Sequence, residues 1–276
     1  MRAVHVTTLD PAELAPYRTL RRATEHVREG IFIAEGGTVV ERLLASDLEV
    51  VSALLTPEWV ERFRPHLEGR GNALTIFVAP IALVERIVGF HYHQGAMAVG
   101  RIRAATSLHD AVAHAPRPRL VVALDGLTSA ENVGAVVRNC AGFGAAALLV
   151  GEETASPWLR RAVRNSMGTV FSLSICPTHS LAGALASLRS ADGFRIVAAT
   201  PAATHPLQEA DLSPDCCLVF GHEGLGVSAE VLAVCDDAIA IPMPPEVDSL
   251  NVASATAVFL YEARRQQAAV ERAART

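Results

Sequence analysis

LVFGHEGLGVSAEVL, residues 218–232, is the stretch whose reading decides the fold. An apolar run of strand type breaks into Gly221, Glu223, Gly224 and Gly226, and Ser228 then stands where the N-cap of a helix belongs. Glycines gathered at a strand end let the backbone approach a ligand closely. The ordinary alternative is a glycine-rich turn with an exposed Glu. Strands of nearly pure Val, Ile, Leu and Ala are those of a mostly parallel sheet covered on both faces.

Outward from this stretch the same alternation continues. Downstream, IAIPMPPEVDSLNVASATAVFLYEARRQ (239–266) is a strand, a triple-proline loop carrying Ser249 and Asn251, and a helix rich in small residues. Upstream, LDGLTSAENVGAVVRNCAGFGA (124–145) is a strand end, a polar loop, and a helix introduced by Asn132 and Gly134 that carries Arg138. Taken singly, Asn132 reads as an N-cap, Arg138 as a solvated helix position, and Ser249 and Asn251 as caps. Further strands are expected at LVVALDG (120–126), AAALLVG, RIVAAT (195–200), CCLVFG (216–221) and AIAIPM (238–243), with a helix at WLRRAVRNS.

The first hundred residues form a second, smaller α/β pattern. Strands are expected at GIFIAEG (30–36), VVSALLT (50–56) and ALTIFVA (73–79), and helices at TVVERLLA (38–45), PEWVERF (57–63) and PIALVERIV (80–88). HYHQGAMAVGRIRA (91–104) is a loop leading into a last strand. ATSLHDAVAHAPRPR has a short helical pattern that ends in a Pro-rich joint, so the expected division is a first domain over 1–104, a linker over 105–118 and a second domain over 119–276.

The chain has 276 residues, half of them hydrophobic, enough for two cores. No run approaches the ~20 apolar residues that span a bilayer, and the first residues lack a signal peptide's apolar region, so a soluble cytoplasmic protein is expected. Five cysteines (Cys140, Cys176, Cys216, Cys217, Cys235) without a C-x-x-C spacing suggest neither a disulfide framework nor a zinc site. His91 and His93 are too sparse for a metal, and none is expected. The net charge of −5 says little, because a local patch and not the sum decides RNA binding. All 24 basic residues are arginine, a pattern of compositional bias.

Residues 142–147, GFGAAA, satisfy G-x-G-x-x-A, but here a helix precedes the glycines and a strand follows. A dinucleotide site requires the reverse order, so Gly142 or Gly144 reads as a helix stop and the nicotinamide reading fails.

The three segments, in this order, resemble the three motifs of the SpoU (TrmH) branch of the SPOUT RNA methyltransferases. The resemblance rests on N-x-G with R-N-C-A-G-F-G-A, on F-G-H-E-G-L-G-V-S, and on I-P-M with D-S-L-N-V-A-S-A, and covers about 150 residues. IFIAEGGTVVERLL and HYHQGAMA resemble, less specifically, the substrate-binding domain of that family. The resemblance implies a catalytic domain with a deep trefoil knot, an exception to the usual unknotted connections. It implies S-adenosylmethionine held by Thr200 and Pro201, by Gly221, Glu223, Gly224 and Gly226, and by Ile241, Met243 and Leu250. Asn132, Arg138, Glu223, Ser249 and Asn251 become the expected catalytic group, and the product a ribose 2′-O-methyl. A guanidinium is a poor base, so clamping phosphate and orienting the hydroxyl is the minimum role for Arg138.

A homodimer packed through the knot region is implied, acting on structured RNA, with rRNA favoured over tRNA. Arg160, Arg161 and Arg164 are candidates for an RNA-facing patch near the catalytic loops, with a solvated helix as the ordinary reading. Arg18, Arg21 and Arg22 are weaker candidates in a first domain resembling ribosomal proteins. Methylation of a base nitrogen by the same fold, and a non-catalytic RNA-binding or ribosome assembly factor, are the rivals; the Asn132/Arg138 pair favours ribose.

Overall fold

A computed structural model describes residues 2–70, 74–88 and 95–273. His91 and His93 lie outside the described residues. By internal contacts the chain divides into one unit of Met1–Ala104 with Pro157–Ser172, and another of Ala105–Ser156 with Leu173–Thr276.

The first unit runs β1 (Arg2–His5), α1 (Ala15–Arg18), α2 (Ala23–Arg28), β2 (Ile31–Glu35), α3 (Gly37–Ala45), β3 (Val50–Leu55), α4 (Pro57–Glu68), β4 (Thr75–Val78), α5 (Ile81–Val88) and β5 (Ala96–Arg101). Its described strands lie in the order β1-β4-β3-β5-β2, with β5 antiparallel to both neighbours and the other pairs parallel. Apolar residues at every second strand position meet the helices in a core containing Tyr17, Ile33, Leu54, Phe77 and Met97. The Tyr17 hydroxyl, buried in that core, is matched by Ser52 Oγ at 2.8 Å. β1, α1 and α2 carry weak apolar patterns and escaped the sequence reading.

The second unit runs α6 (Leu108–Ala113), β6 (Leu120–Asp125), α7 (Ala130–Gly142) and β7 (Ala147–Val150). After α8 (Arg160–Asn165), it resumes with β8 (Ile175–Pro177), α9 (Leu181–Asp192), β9 (Arg195–Ala199), β10 (His205–Pro206), β11 (Cys216–Gly221), α10 (Ala229–Leu232), β12 (Asp237–Ala240) and α11 (Val252–Ala273). The described strands lie in the order β10-β12-β9-β11-β6-β7-β8, and each pair is parallel. β6, β7 and β11 are buried along almost their whole length, as the unbroken apolar runs require.

Residues 105–118 carry the short helix expected there: Ser107 caps α6 by accepting from Asp110 N at 3.1 Å, and Leu108 and Val112 join the core of the second unit. The segment 157–172, expected within the second domain, packs in the first unit. Glu35 at the end of β2 is buried and ion-paired with Arg160 and Arg164 of α8, and Phe32 meets Trp158 and Phe171 with ring centroids 5.1 and 5.3 Å apart. A carboxylate without solvent demands a paired cation, and β2 offers one side of a pair whose other side lies 125 residues on.

Gly144, with φ of +67°, ends α7 in the left-handed conformation, as one of the two glycines was expected to. Ser129, and not Asn132, is the N-cap of α7: its Oγ accepts from Asn132 N at 3.2 Å. No helix among the described residues is long and apolar enough to cross a membrane, and among them no group of three or more His, Cys, Asp or Glu could hold a metal ion.

Candidate active site

In open parallel sheets, ligands bind beyond the carboxyl ends of the strands. Here β9, β11 and β12 end at Ala199, Gly221 and Ala240 beside a pocket of about 420 Å³. It is lined by all nine residues that the family resemblance implies for the cofactor: Thr200, Pro201, Gly221, Glu223, Gly224, Gly226, Ile241, Met243 and Leu250. Ser249 and Asn251 line it too. Phe220 and Phe259, edge to face with ring centroids 5.7 Å apart, are also in its lining. The volume falls within the ~300–1,000 Å³ of small-molecule sites, and the lining is the usual mixture of apolar surface with a few polar groups.

The loop after β11 is a tight hairpin. His222 and Gly226 exchange both backbone hydrogen bonds at 2.9 Å, so the chain folds back across Gly221. A Cβ on Gly221 would lie 2.1–2.3 Å from the backbone of Gly226 and Val227, and Gly226 itself has φ of +71°. Both positions therefore demand glycine. Asp125, at the end of β6, holds the far side by accepting from Ser228 N at 2.7 Å.

A chain of amides joins the three motifs. Glu223 Oε1 accepts from Asn132 Nδ2 at 3.0 Å, Asn132 Oδ1 accepts from Asn251 Nδ2 at 3.0 Å, and Asn251 Oδ1 accepts from Ala253 N at 2.9 Å. A carboxylate only accepts, so Asn132 must turn its NH₂ toward Glu223, and that orientation dictates the next. Partial burial pushes the Glu223 carboxyl up, but bonds from the Asn132 side chain and from the N–H groups of Glu223, Ser129 and Thr128 outweigh it and leave the pKa below the ordinary carboxylate value. Glu223 is therefore ionised at neutral pH and serves as an acceptor.

Arg138 stands apart from this chain. Its side chain is exposed, is not among the pocket-lining residues, and has no hydrogen bond or ion pair among the described residues. The helix period explains the separation. Asn132 and Asn139 are seven residues apart, about two turns, and share the face toward α11, where Asn139 Nδ2 donates to Ala253 O at 2.7 Å. Arg138 is rotated by about 100° from that face. Asp125, Ser129 and Asn139 were missed in the sequence; for Ser129 the signal was a Ser three residues ahead of Asn132 in a polar loop.

The expected RNA-facing arginines fare unevenly. Arg160 and Arg164 are engaged by Glu35 in the first unit, and Arg160 is largely buried, so these two are not simply a free cationic patch. Arg161 is exposed. In the first unit Arg18 reaches Asp10 O at 3.4 Å, Arg22 pairs with Glu25, and Arg21 is exposed. The thiols offer no nucleophile: burial pushes Cys176 and Cys235 up to about 11 and Cys216 to about 12, and it also pushes Cys140 and Cys217 well above the ordinary thiol value.

Fold and site together define an α/β protein with a nucleoside-sized pocket at the carboxyl edge of a parallel sheet. The profile of the SpoU rRNA Methylase family matches residues 119–261, and the chain belongs to that family. It is 34% identical over 264 residues to an uncharacterized tRNA/rRNA methyltransferase of Mycobacterium bovis, covering 93% of this chain and 90% of that one. It is also 34% identical over 182 residues to the 23S rRNA (guanosine-2′-O-)-methyltransferase RlmB of Vibrio vulnificus, covering 64% of this chain and 72% of that protein. The crystal structure of an AdoMet-bound rRNA methyltransferase from Sinorhizobium meliloti superposes with a TM-score of 0.81 at 25% identity, over 95% of this chain and 98% of that one.

Proposed function

We propose that this chain is an S-adenosylmethionine-dependent RNA methyltransferase acting on a ribose 2′-hydroxyl, with rRNA as the substrate class. The observation that carries the reading is the Glu223–Asn132–Asn251 chain, which ties the three motif segments together at the rim of the pocket. The pocket fits the cofactor's chemistry: Ile241, Met243 and Leu250 offer apolar surface to a flat base, and the Gly221–Gly226 hairpin and Thr200–Pro201 offer backbone polar groups. S-adenosylmethionine supplies an electrophilic methyl group on a sulfonium.

The chain's own residues supply alignment. The amide chain fixes Asn132 and Asn251 in one orientation, so a hydroxyl placed there meets preset polar groups with little entropy left to lose. The exposed Arg138 guanidinium suits a phosphate of the RNA, held as a two-pronged clamp beside the reacting ribose. Proton removal from the hydroxyl by Arg138 is the stronger form of the same role.

Leu225, Val247 and Leu250 are exposed near the pocket, and α11 exposes Val258 and Tyr261. This apolar surface supports a homodimer packed through the region around 241–251, where the family resemblance puts the knot, with RNA contacts from both subunits. A cytoplasmic location follows from an rRNA substrate.

The test is incubation of the purified protein with methyl-labelled S-adenosylmethionine and undermodified bacterial rRNA or tRNA, followed by alkaline cleavage. The expected result is label in rRNA with one phosphodiester protected, because 2′-O-methylation removes the nucleophile that alkali uses. Label without protection would point to a base nitrogen, label in tRNA would move the substrate, and no label in any RNA would revive a binding factor. Arg138→Ala is expected to lower kcat about a hundredfold or more while S-adenosylmethionine affinity stays within about twofold; retained activity would remove Arg138 from the mechanism.

A further inference from the structure

His222 sits inside the pocket hairpin, and none of the chemistry above uses it. Its Nδ1 accepts hydrogen bonds from two backbone groups of its own loop, Gly224 N at 2.9 Å and Leu225 N at 3.2 Å. A side-chain acceptor bonding the N–H two residues on is the geometry of an Asx-turn, built here with an imidazole. For Nδ1 to accept, the neutral ring must carry its proton on Nε2.

The consequence lies in which polar groups the loop has left. The N–H groups of His222 and Gly226 are bonded to each other's carbonyls, and those of Gly224 and Leu225 to the imidazole. Four of the five successive N–H groups from His222 to Gly226 are thereby satisfied within the hairpin, and that of Glu223 bonds its own carboxylate. What this loop can turn to a ligand is carbonyl oxygen, in a pocket that His222, Glu223, Gly224 and Gly226 all line. Without the imidazole, the exposed Gly224 and Leu225 would turn their N–H groups to water, on a segment whose glycines give it little stiffness of its own.

We infer that His222 is the positioning residue of the cofactor loop: its Nδ1 holds the hairpin closed and makes it an acceptor edge for the amino and hydroxyl hydrogens of an adenosyl ligand. This rests on the reading of the pocket as the S-adenosylmethionine site. The chemistry needed at position 222 is an acceptor one short side chain from the backbone, which Asn also provides and an apolar ring does not.

The test uses the full chain and three variants, His222→Ala, His222→Asn and His222→Phe. S-adenosylmethionine affinity is measured by calorimetry, and amide hydrogen exchange of Gly224 and Leu225 by NMR without ligand. Expected are exchange about tenfold faster in the Ala and Phe variants and near wild type in Asn, with Kd raised about tenfold in Ala and Phe and within about threefold of wild type in Asn. Equal affinity of wild type and Ala, or an Asn variant as weak as Ala, would overturn the assignment, as would Phe restoring affinity through ring packing. Wild-type protein that binds no S-adenosylmethionine while Gly224 and Leu225 keep their His222-dependent protection would instead sink the reading of the pocket and leave the hairpin's geometry standing.

Discussion

His26 in α2 is buried, with one ring nitrogen against Thr19 Oγ1 at 2.8 Å and Nδ1 without a hydrogen-bond partner among the described residues. Thr19 Oγ1 also donates to Ala15 O at 2.9 Å, so the hydroxyl accepts and His26 donates from Nε2. Burial lowers the His26 pKa, opposed by the carboxylates of Glu29 and Glu25. The folded state therefore binds fewer protons than the unfolded state once the pH approaches the ordinary histidine value of about 6.5. Stability from this group is present above that value and is lost as the pH falls through it toward the lowered folded pKa. Urea midpoints of wild type and His26→Leu, measured from pH 8 to pH 5, are expected to diverge, with the variant falling less; parallel curves would refute the argument. Thr19 keeps its bond to Ala15 in the variant, so the comparison isolates the proton.

At the scale of elements, α7 and α11 are joined at both ends. Near the start of α11, Asn139 holds Ala253 and Asn251 holds Asn132. Further along, half-buried Arg264 donates to Phe143 O at 2.7 Å, to Gly144 O, and to Pro118 O at 3.3 Å. A cation at the carbonyl end of α7 satisfies acceptors the helix cannot and opposes its dipole. Gln267 Oε1, at 2.8 Å, orients the guanidinium. Arg264→Met is expected to cost about 2 kcal/mol in urea unfolding, since it strips several charge-assisted bonds while keeping much of the stem. The buried pair Arg119–Asp215 ties the starts of β6 and β11 together, and Arg119 also lies over the Phe194 ring with 4.5 Å to its centroid. Asp215→Ala is expected to cost about 3–5 kcal/mol, because it leaves a buried guanidinium without its counter-charge; a cost below 1 kcal/mol, read from the same unfolding curves, would show that the pair is wet.

For the whole molecule, the decisive fact is that residues 157–172 belong to the unit built from the first hundred residues. A fragment of residues 1–104 would lack Trp158 and Phe171 against Phe32, and would leave Glu35 without Arg160 and Arg164. It is expected to show a broad, low thermal transition, and Glu35→Met in the same fragment to raise Tm by removing the unpaired charge; an already cooperative, stable fragment would contradict this.

Most strands and helices and the glycine turns were legible in the sequence, while the residues that line the pocket were named by the family resemblance. Burial on both faces leaves continuous apolar runs, and Gly221 and Gly226 answer to local backbone demands. What depended on partners far along the chain was not legible. Neither Glu35 nor Arg160 announces a buried ion pair, and the weakly patterned α9, with Leu181, Leu185 and Leu188 in the core, takes its stability from strands distant in sequence. Likewise Asn132 reads locally as a cap. Its bonds to Glu223 and Asn251, 91 and 119 residues away, exist because the parallel sheet brings the carboxyl ends of its strands to one edge, and that juxtaposition belongs to tertiary structure.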